Sequence, residues 1–287
     1  MKSKMLVYLG IFVGSIILLS LYGFWVATHP PKYITNLTPK DLGWKFEDIT
    51  LTTSDGVKLA AWFVPAGKSS DKVIVLLHGY PADKANLLGW AEFLHQDFNL
   101  FFLDFRYFGS SEGNITTIGL QEQKDLEAAI GYLQEKGVDK IGAMGFSLGG
   151  AVAIIVGAKD GGIGAIVSDS AYASLSDMSK VYYKNLWILE YPLSALTALW
   201  SKIFLGATPS KISPEKAARS LGIPILLIHS RKDQIIPFEN ALKIEEALKQ
   251  NQEAQFLFLE KGTHGALPSQ VLEEYEKTVL EFFMKHL

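Results

Sequence analysis

From Phe46 onward the chain alternates between short apolar runs, rich in β-branched or aromatic residues, and longer stretches of helical periodicity. Phe46–Thr53 and Val57–Val64 flank Ser54-Asp55-Gly56, a hairpin signal. Val73–Leu77, Leu100–Leu103, Ile141–Met144, Ile163–Val167, Ile223–Ile228 and Gln255–Leu259 read as further strands, with helical patterns between several of them, among them Leu120–Lys136 and Phe238–Gln250. Such alternation predicts an α/β fold with a mostly parallel sheet and helices on both faces. Ligand chemistry then belongs at the carboxyl ends of the strands.

The N-terminal segment follows another pattern. Met5–Ala27 is almost unbroken apolar sequence without a charged residue, preceded by Lys2 and Lys4. At helical rise these 23 residues span roughly 34 Å, enough to cross a bilayer core. A cleaved signal peptide would want a shorter apolar region and small residues at the cut, whereas Trp25 occupies the third position before a cut after Ala27. A buried core helix is disfavoured, because this one is hydrophobic on every side and sits at the terminus. The pattern therefore predicts an uncleaved single-pass anchor over residues 1–28, a tether over 29–45 marked by His29-Pro30-Pro31 and Thr38-Pro39, and one domain over 46–287. Lys2 and Lys4 favour an inside N-terminus and an extracytoplasmic domain, although Lys32, Lys40 and Lys45 follow the span.

One segment carries candidate chemistry. Val138–Gly150 contains Gly145-Phe146-Ser147-Leu148-Gly149, a Gly-x-Ser-x-Gly motif between a strand-like run and the helix-compatible Ala151–Val156. A serine at such a turn has its hydroxyl pushed clear of the sheet, and a Cβ at Gly145 or Gly149 would collide with the neighbouring strand or helix. The Leu148 N–H then lies at a helix N-terminus, aimed where an oxyanion would form. A nucleophilic serine needs a base, and the base a carboxylate that holds its tautomer. His264 follows the last strand within Lys261-Gly262-Thr263-His264-Gly265, while His286 belongs to a terminal helix and is expected to be solvated. Asp233 follows the strand Ile223–Ile228, and the order Ser147, Asp233, His264 suits this architecture; Asp169, after the preceding strand, is the rival acid.

Bulk properties narrow the classes. A net charge of −3 and a pI near 6.1 give no electrostatic case for nucleic-acid binding. With no cysteine, disulfides, thiolate catalysis and cysteine-ligated metals are excluded. Nothing in the sequence calls for a cofactor or metal.

Together these residues resemble the α/β-hydrolase family over nearly everything from Phe46 to Leu287, and most closely a membrane-anchored branch similar to Bem46-type proteins and serine aminopeptidase-like hydrolases. His78-Gly79-Tyr80 is similar to that family's oxyanion loop, which implies that the Tyr80 N–H joins that of Leu148; Pro81 has no N–H to offer. Asp104-Phe105-Arg106-Tyr107-Phe108-Gly109-Ser110-Ser111 resembles the family's Asp-x-Arg-Gly-x-Gly-x-Ser loop with Tyr107 in place of the first glycine, and Ser230 likewise stands where the family usually has glycine. The resemblance implies a serine hydrolase acting on a small-molecule acyl or ester substrate, lipid-like among the options. A peptidase of the same fold and a non-catalytic anchored binding protein are the alternatives. The apolar segment at about 170–214, with Tyr182, Trp187, Tyr191, Trp200 and Phe204, reads as a cap-like insertion, as ordinary helix packing, or as a bilayer-contact element.

Overall fold

The computed structural model describes residues 2–159 and 162–287. Two compact units divide the chain: one takes the segment through Pro30 together with Ser174–Ser213, the other Pro31–Ala173 and Pro214–Leu287.

The larger unit is built on eight strands: β1 Glu47–Thr52, β2 Lys58–Val64, β3 Lys72–Leu77, β4 Asn99–Leu103, β5 Lys140–Phe146, β6 Ala165–Asp169, β7 Ile225–Ser230 and β8 Ala254–Leu259. They form one sheet in the order β1-β2-β4-β3-β5-β6-β7-β8, antiparallel at β1, β2 and β4 and parallel from β4 onward. Val73–Leu77 and all of β6 and β7 are buried, so the sheet is covered on both faces there, as continuous apolar runs require. At the edge, β1 carries Glu47 and Asp48 on exposed positions, which discourages pairing with another chain. β6 and β7 begin and end two residues later than the apolar runs suggest. Pro224, which has no N–H for the ladder, precedes β7, and the polar ends Ser168-Asp169 and His229-Ser230 are drawn into the strands.

The helices of this unit are α2 Glu122–Glu135, α3 Leu148–Gly157, α6 Pro214–Ala218, α7 Glu239–Ala247 and α8 Ser269–His286. α8 buries Tyr275, Val279, Phe282 and Phe283, a single helical face, with Phe98 and Phe283 meeting edge-to-face at 6.0 Å. His286 is not solvated as expected. Its side chain packs on the Phe282 ring at 4.8 Å, and burial lowers its pKa.

The register places the chemistry. Phe146 of β5 pairs with Asp169 of β6, Asp169 with Ile228 of β7, and Ser230 with Leu259 of β8. The four neighbouring strands thus end within two residues of one another in register, and the residues that follow them share one edge. The order also reverses between β3, β4 and β5, the kind of switch point at whose strand ends α/β sheets place their ligands.

The smaller unit is helical: α1 Lys2–Thr28, α4 Leu175–Tyr183, a 3-10 segment at Lys184–Leu189, and α5 Glu190–Leu205. α1 is long and apolar enough to cross a membrane. Its second half buries Ser20, Phe24 and Thr28, one turn apart each, and packs on α5. The Trp200 Nε1–H donates to Ser20 Oγ at 3.0 Å, Phe24 stacks on Phe204 at 5.8 Å, and Gly23 leaves room for the Tyr183 hydroxyl.

Candidate active site

Ser147 sits between the last residue of β5 and the first of α3, with φ of 52° and ψ of −107°. A non-glycine residue at positive φ costs on the order of 1–3 kcal/mol and persists only where its surroundings enforce it. Here they do. A Cβ on Gly145 would run into the backbone of Gly149 and Gly150, and one on Gly149 into the carbonyl of Leu77 at the end of β3. Strand, helix and neighbouring strand therefore meet backbone to backbone, and the Ser147 N–H is held by the Asp169 carbonyl at 2.8 Å. The first N–H groups of α3, Leu148 among them, have no acceptor within their own helix and present the positive end of its dipole.

The Gly79 backbone passes against this turn, so close that a Cβ there would meet the Phe146 ring and lie 3.5 Å from Ser147 Cβ. This brings the Gly79–Tyr80 peptide beside Ser147. His78 fixes the segment from beneath: its Nδ1–H donates to the Gly79 carbonyl at 2.7 Å and its Nε2 accepts from the Phe105 N–H at 3.1 Å. Both bonds require a neutral ring, and burial holds the His78 pKa below its ordinary value.

Asp233 follows β7 and His264 follows β8. The His264 Nδ1–H donates to Asp233 Oδ2 at 2.7 Å, which leaves Nε2 with its lone pair. Asp233 Oδ1 accepts from the Ile235 and Ile236 N–H groups at 2.9 and 2.8 Å. Burial alone would raise this carboxyl; the bonds from His264 and the two N–H groups outweigh it and hold the pKa below the usual value. The Phe146 ring, next to Ser147 in sequence, lies 4.8 Å from the His264 ring and carries it toward the serine turn. Gly265 has φ of 73° and no side chain, so the His264 loop closes onto Phe146.

Asp169 does not pair with His264. Its Oδ1 accepts from the Ser170 hydroxyl at 2.8 Å and its Oδ2 from the Tyr275 hydroxyl at 3.0 Å. Burial pushes its pKa up to about 6 against those two bonds. Sequence reasoning did not reach Tyr275, which lies 106 residues away on α8. Nor did it reach His229, fully buried behind Asp233, which donates its Nε2–H to the Ile236 carbonyl at 2.8 Å and is kept neutral by burial. Ser230, conspicuous in sequence as a replacement for glycine, donates to the Gly262 carbonyl at 2.7 Å and so ties the end of β7 to the His264 loop. Trp90, Asp169, Ser170, Thr263, Leu267 and Leu272 are among the residues around a cavity of about 250 Å³ beside that loop.

The Asp104–Ser111 loop is structural. Asp104 accepts from the N–H and Nζ of Lys84 and from the Ser110 N–H, and Arg106 forks between Asp55 and Asp125. Tyr107 adopts φ of 73°, the left-handed conformation that glycine reaches most readily, at a cost of roughly 1–2 kcal/mol.

The Asp169 environment gives a pH-dependent prediction. The unfolded carboxyl titrates near 4, about its ordinary value. Between about pH 4 and 6 the folded state keeps a proton that the unfolded state has lost, so this group's contribution is fully present below pH 4 and falls as pH rises. Asp169→Asn stays neutral and should remove that slope. Its thermal stability relative to the parent should improve from pH 4 to 7, by on the order of 2–3 kcal/mol. Parallel stability–pH curves for the two proteins would contradict the assignment.

Known proteins share this fold. The family model described as the alpha/beta hydrolase fold matches residues 72–188. The solved esterase Pf2001 of Pyrococcus furiosus superposes with a TM-score of 0.75 at 30% identity, over 91% of this chain and 98% of that one. The alpha/beta hydrolase domain-containing protein WAV2 of Arabidopsis thaliana is 28% identical over 259 residues, 87% of this chain and 82% of WAV2. Protein bem46 of Schizosaccharomyces pombe is 27% identical over 208 residues, 70% of this chain and 64% of bem46. With its mostly parallel eight-stranded sheet and its serine turn between β5 and α3, the chain belongs to the α/β-hydrolase family.

Proposed function

We propose that this protein is a membrane-anchored serine hydrolase that cleaves carboxylic esters through an acyl-enzyme. The observation that carries the reading is the 2.7 Å bond between His264 Nδ1 and Asp233 Oδ2, at the strand ends beside the Ser147 turn. In the proposed first half-reaction Ser147 Oγ attacks the ester carbonyl carbon while His264 Nε2 takes the hydroxyl proton. Asp233 stabilises the resulting imidazolium, and its pKa, held low, keeps it ionised throughout. The carbonyl oxygen becomes an oxyanion facing the N–H groups of Tyr80 and Leu148. Collapse breaks the bond to the leaving alcohol, which receives the proton from His264. Water then repeats the sequence on the acyl-serine, with His264 again as base, and releases the acid. The likeness to an esterase at 30% identity favours the ester over the peptide bond.

Anchoring rests on α1. Placed in lipid it would keep Met5–Leu19 out of water, at about 1.5–3 kcal/mol for each large side chain. The packing of its second half against α5 favours a retained helix, since cleavage would strip Trp200 of its Ser20 acceptor and Phe204 of Phe24.

Ser147→Ala should lower kcat on p-nitrophenyl esters by roughly 10⁴-fold or more and abolish fluorophosphonate labelling. Asp233→Asn should cost roughly 10³–10⁴-fold through the wrong imidazole tautomer, whereas Asp169→Asn should stay within the parent's order of magnitude. A reversal of the two aspartate effects would move the acid to β6. Full-length protein should remain in the membrane pellet through carbonate washing; release without detergent would contradict the anchor.

A further inference from the structure

We propose that the helical insertion Ser174–Ser213 is a second membrane-contact element, which lays its aromatic side chains into the headgroup region of a phospholipid bilayer around the base of α1. The inference rests on the anchoring of α1 and extends it to a segment that no apolar-length criterion would select: among the described residues only α1 is long and apolar enough to span.

The first observation is where α1 stops being free. From Lys2 to Leu19 every position is exposed or half-exposed; from Ser20 onward one face is buried at Ser20, Phe24 and Thr28. The charge-free part of this stretch, Met5–Leu19, is about 22 Å long at helical rise, so a hydrocarbon core of roughly 30 Å that begins at Met5 ends near Phe24. A bilayer that takes up the free stretch therefore ends within about a turn of Ser20. What packs against Ser20–Thr28 lies at headgroup level.

The second observation is what packs there. α5 reaches that half of α1 through Trp200 on Ser20 and Phe204 on Phe24, and α4 through the Tyr183 hydroxyl beside Gly23. The insertion is thus fixed to α1 at the level where the core ends.

The third is the chemistry it turns outward. Trp187 is 85% exposed and Tyr191 75%, with Tyr182, Ile188 and Ile203 also exposed. On α5 the exposed positions Tyr191, Ala195, Leu199 and Ile203 recur every four residues, an apolar stripe on one side of the helix. Trp and Tyr are the side chains that favour the bilayer interface, because an apolar ring and a polar tip are satisfied together only there. Charge agrees: the insertion has Lys180, Lys184, Lys202 and Lys211 against Asp177 and Glu190, while the whole chain is at −3. A basic, aromatic surface on an acidic protein suits anionic headgroups.

The absence of native cysteine makes the test clean. Single cysteines are introduced by Leu9→Cys, Trp187→Cys, Tyr191→Cys and Lys249→Cys, spin-labelled, and the full-length proteins reconstituted in phosphatidylcholine–phosphatidylglycerol vesicles. Accessibility to oxygen, which partitions into lipid, is compared with accessibility to a polar nickel reagent. The proposal expects Leu9 deep in lipid, Lys249 in water, and Trp187 and Tyr191 with oxygen access exceeding nickel access at shallow depth. Leu9 in lipid with Trp187 and Tyr191 reading like Lys249 would overturn the proposal and leave the anchor intact. Leu9 in water would overturn both. Dipolar broadening at Trp187 that vanishes on dilution with unlabelled protein would assign the surface to a second copy of the chain and equally overturn it.

Discussion

Backbone-to-backbone packing around Gly145 and Gly149 is the constraint from which the site follows. Because neither residue has a side chain, α3 can start with only Ser147 between it and the end of β5 while pressing on the Leu77 carbonyl of β3. That contact forces Ser147 to positive φ and sets the first turn of α3 toward the strand ends. The strain is local, a few kcal/mol at most, and is held by a sheet whose central strands are wholly buried. Loosening the elbow would move the hydroxyl and the Leu148 N–H together, since both are fixed by the same two close approaches.

The acid and the imidazole are held by a different device. Asp233 is oriented by two backbone N–H groups rather than by a cation, so its charge is stabilised without a competing partner for His264. His229 behind it is neutral and spends its Nε2–H on the Ile236 carbonyl, in the same turn that supplies those N–H groups. Ser230 then bridges to Gly262, linking the turn after β7 with the loop after β8. Asp169 stands only one strand away but is occupied by Ser170 and Tyr275, which explains why two carboxylates at neighbouring strand ends have different environments and opposite pKa shifts.

Much of this was legible in sequence because it depends on local pattern. Continuous apolar runs mark buried parallel strands, and the glycine spacing around Ser147 marks the elbow. Asp233 and His264 were selected by their place after consecutive strands, and the register aligns those strand ends. The environment of Asp169 was not legible in sequence, since it depends on a hydroxyl 106 residues away. The left-handed Tyr107 shows the limit of residue-type reasoning: glycine is preferred there, but a loop clamped through Asp104 and Arg106 tolerates the strain. The union of α1 with Ser174–Ser213 was equally invisible, because an all-apolar helix gives no sign of which face, if any, will be buried.

The proposed reaction requires that the acyl group reside on one oxygen during turnover. Acid quenching of the full-length protein in the steady state of p-nitrophenyl acetate hydrolysis, followed by peptide mass spectrometry, tests this directly. An acetyl group on the peptide containing Ser147, absent in Ser147→Ala and released over the turnover time, is the predicted result. Turnover with no acylated peptide under any quench, or an acetyl group that chases to product from another residue, would contradict the account.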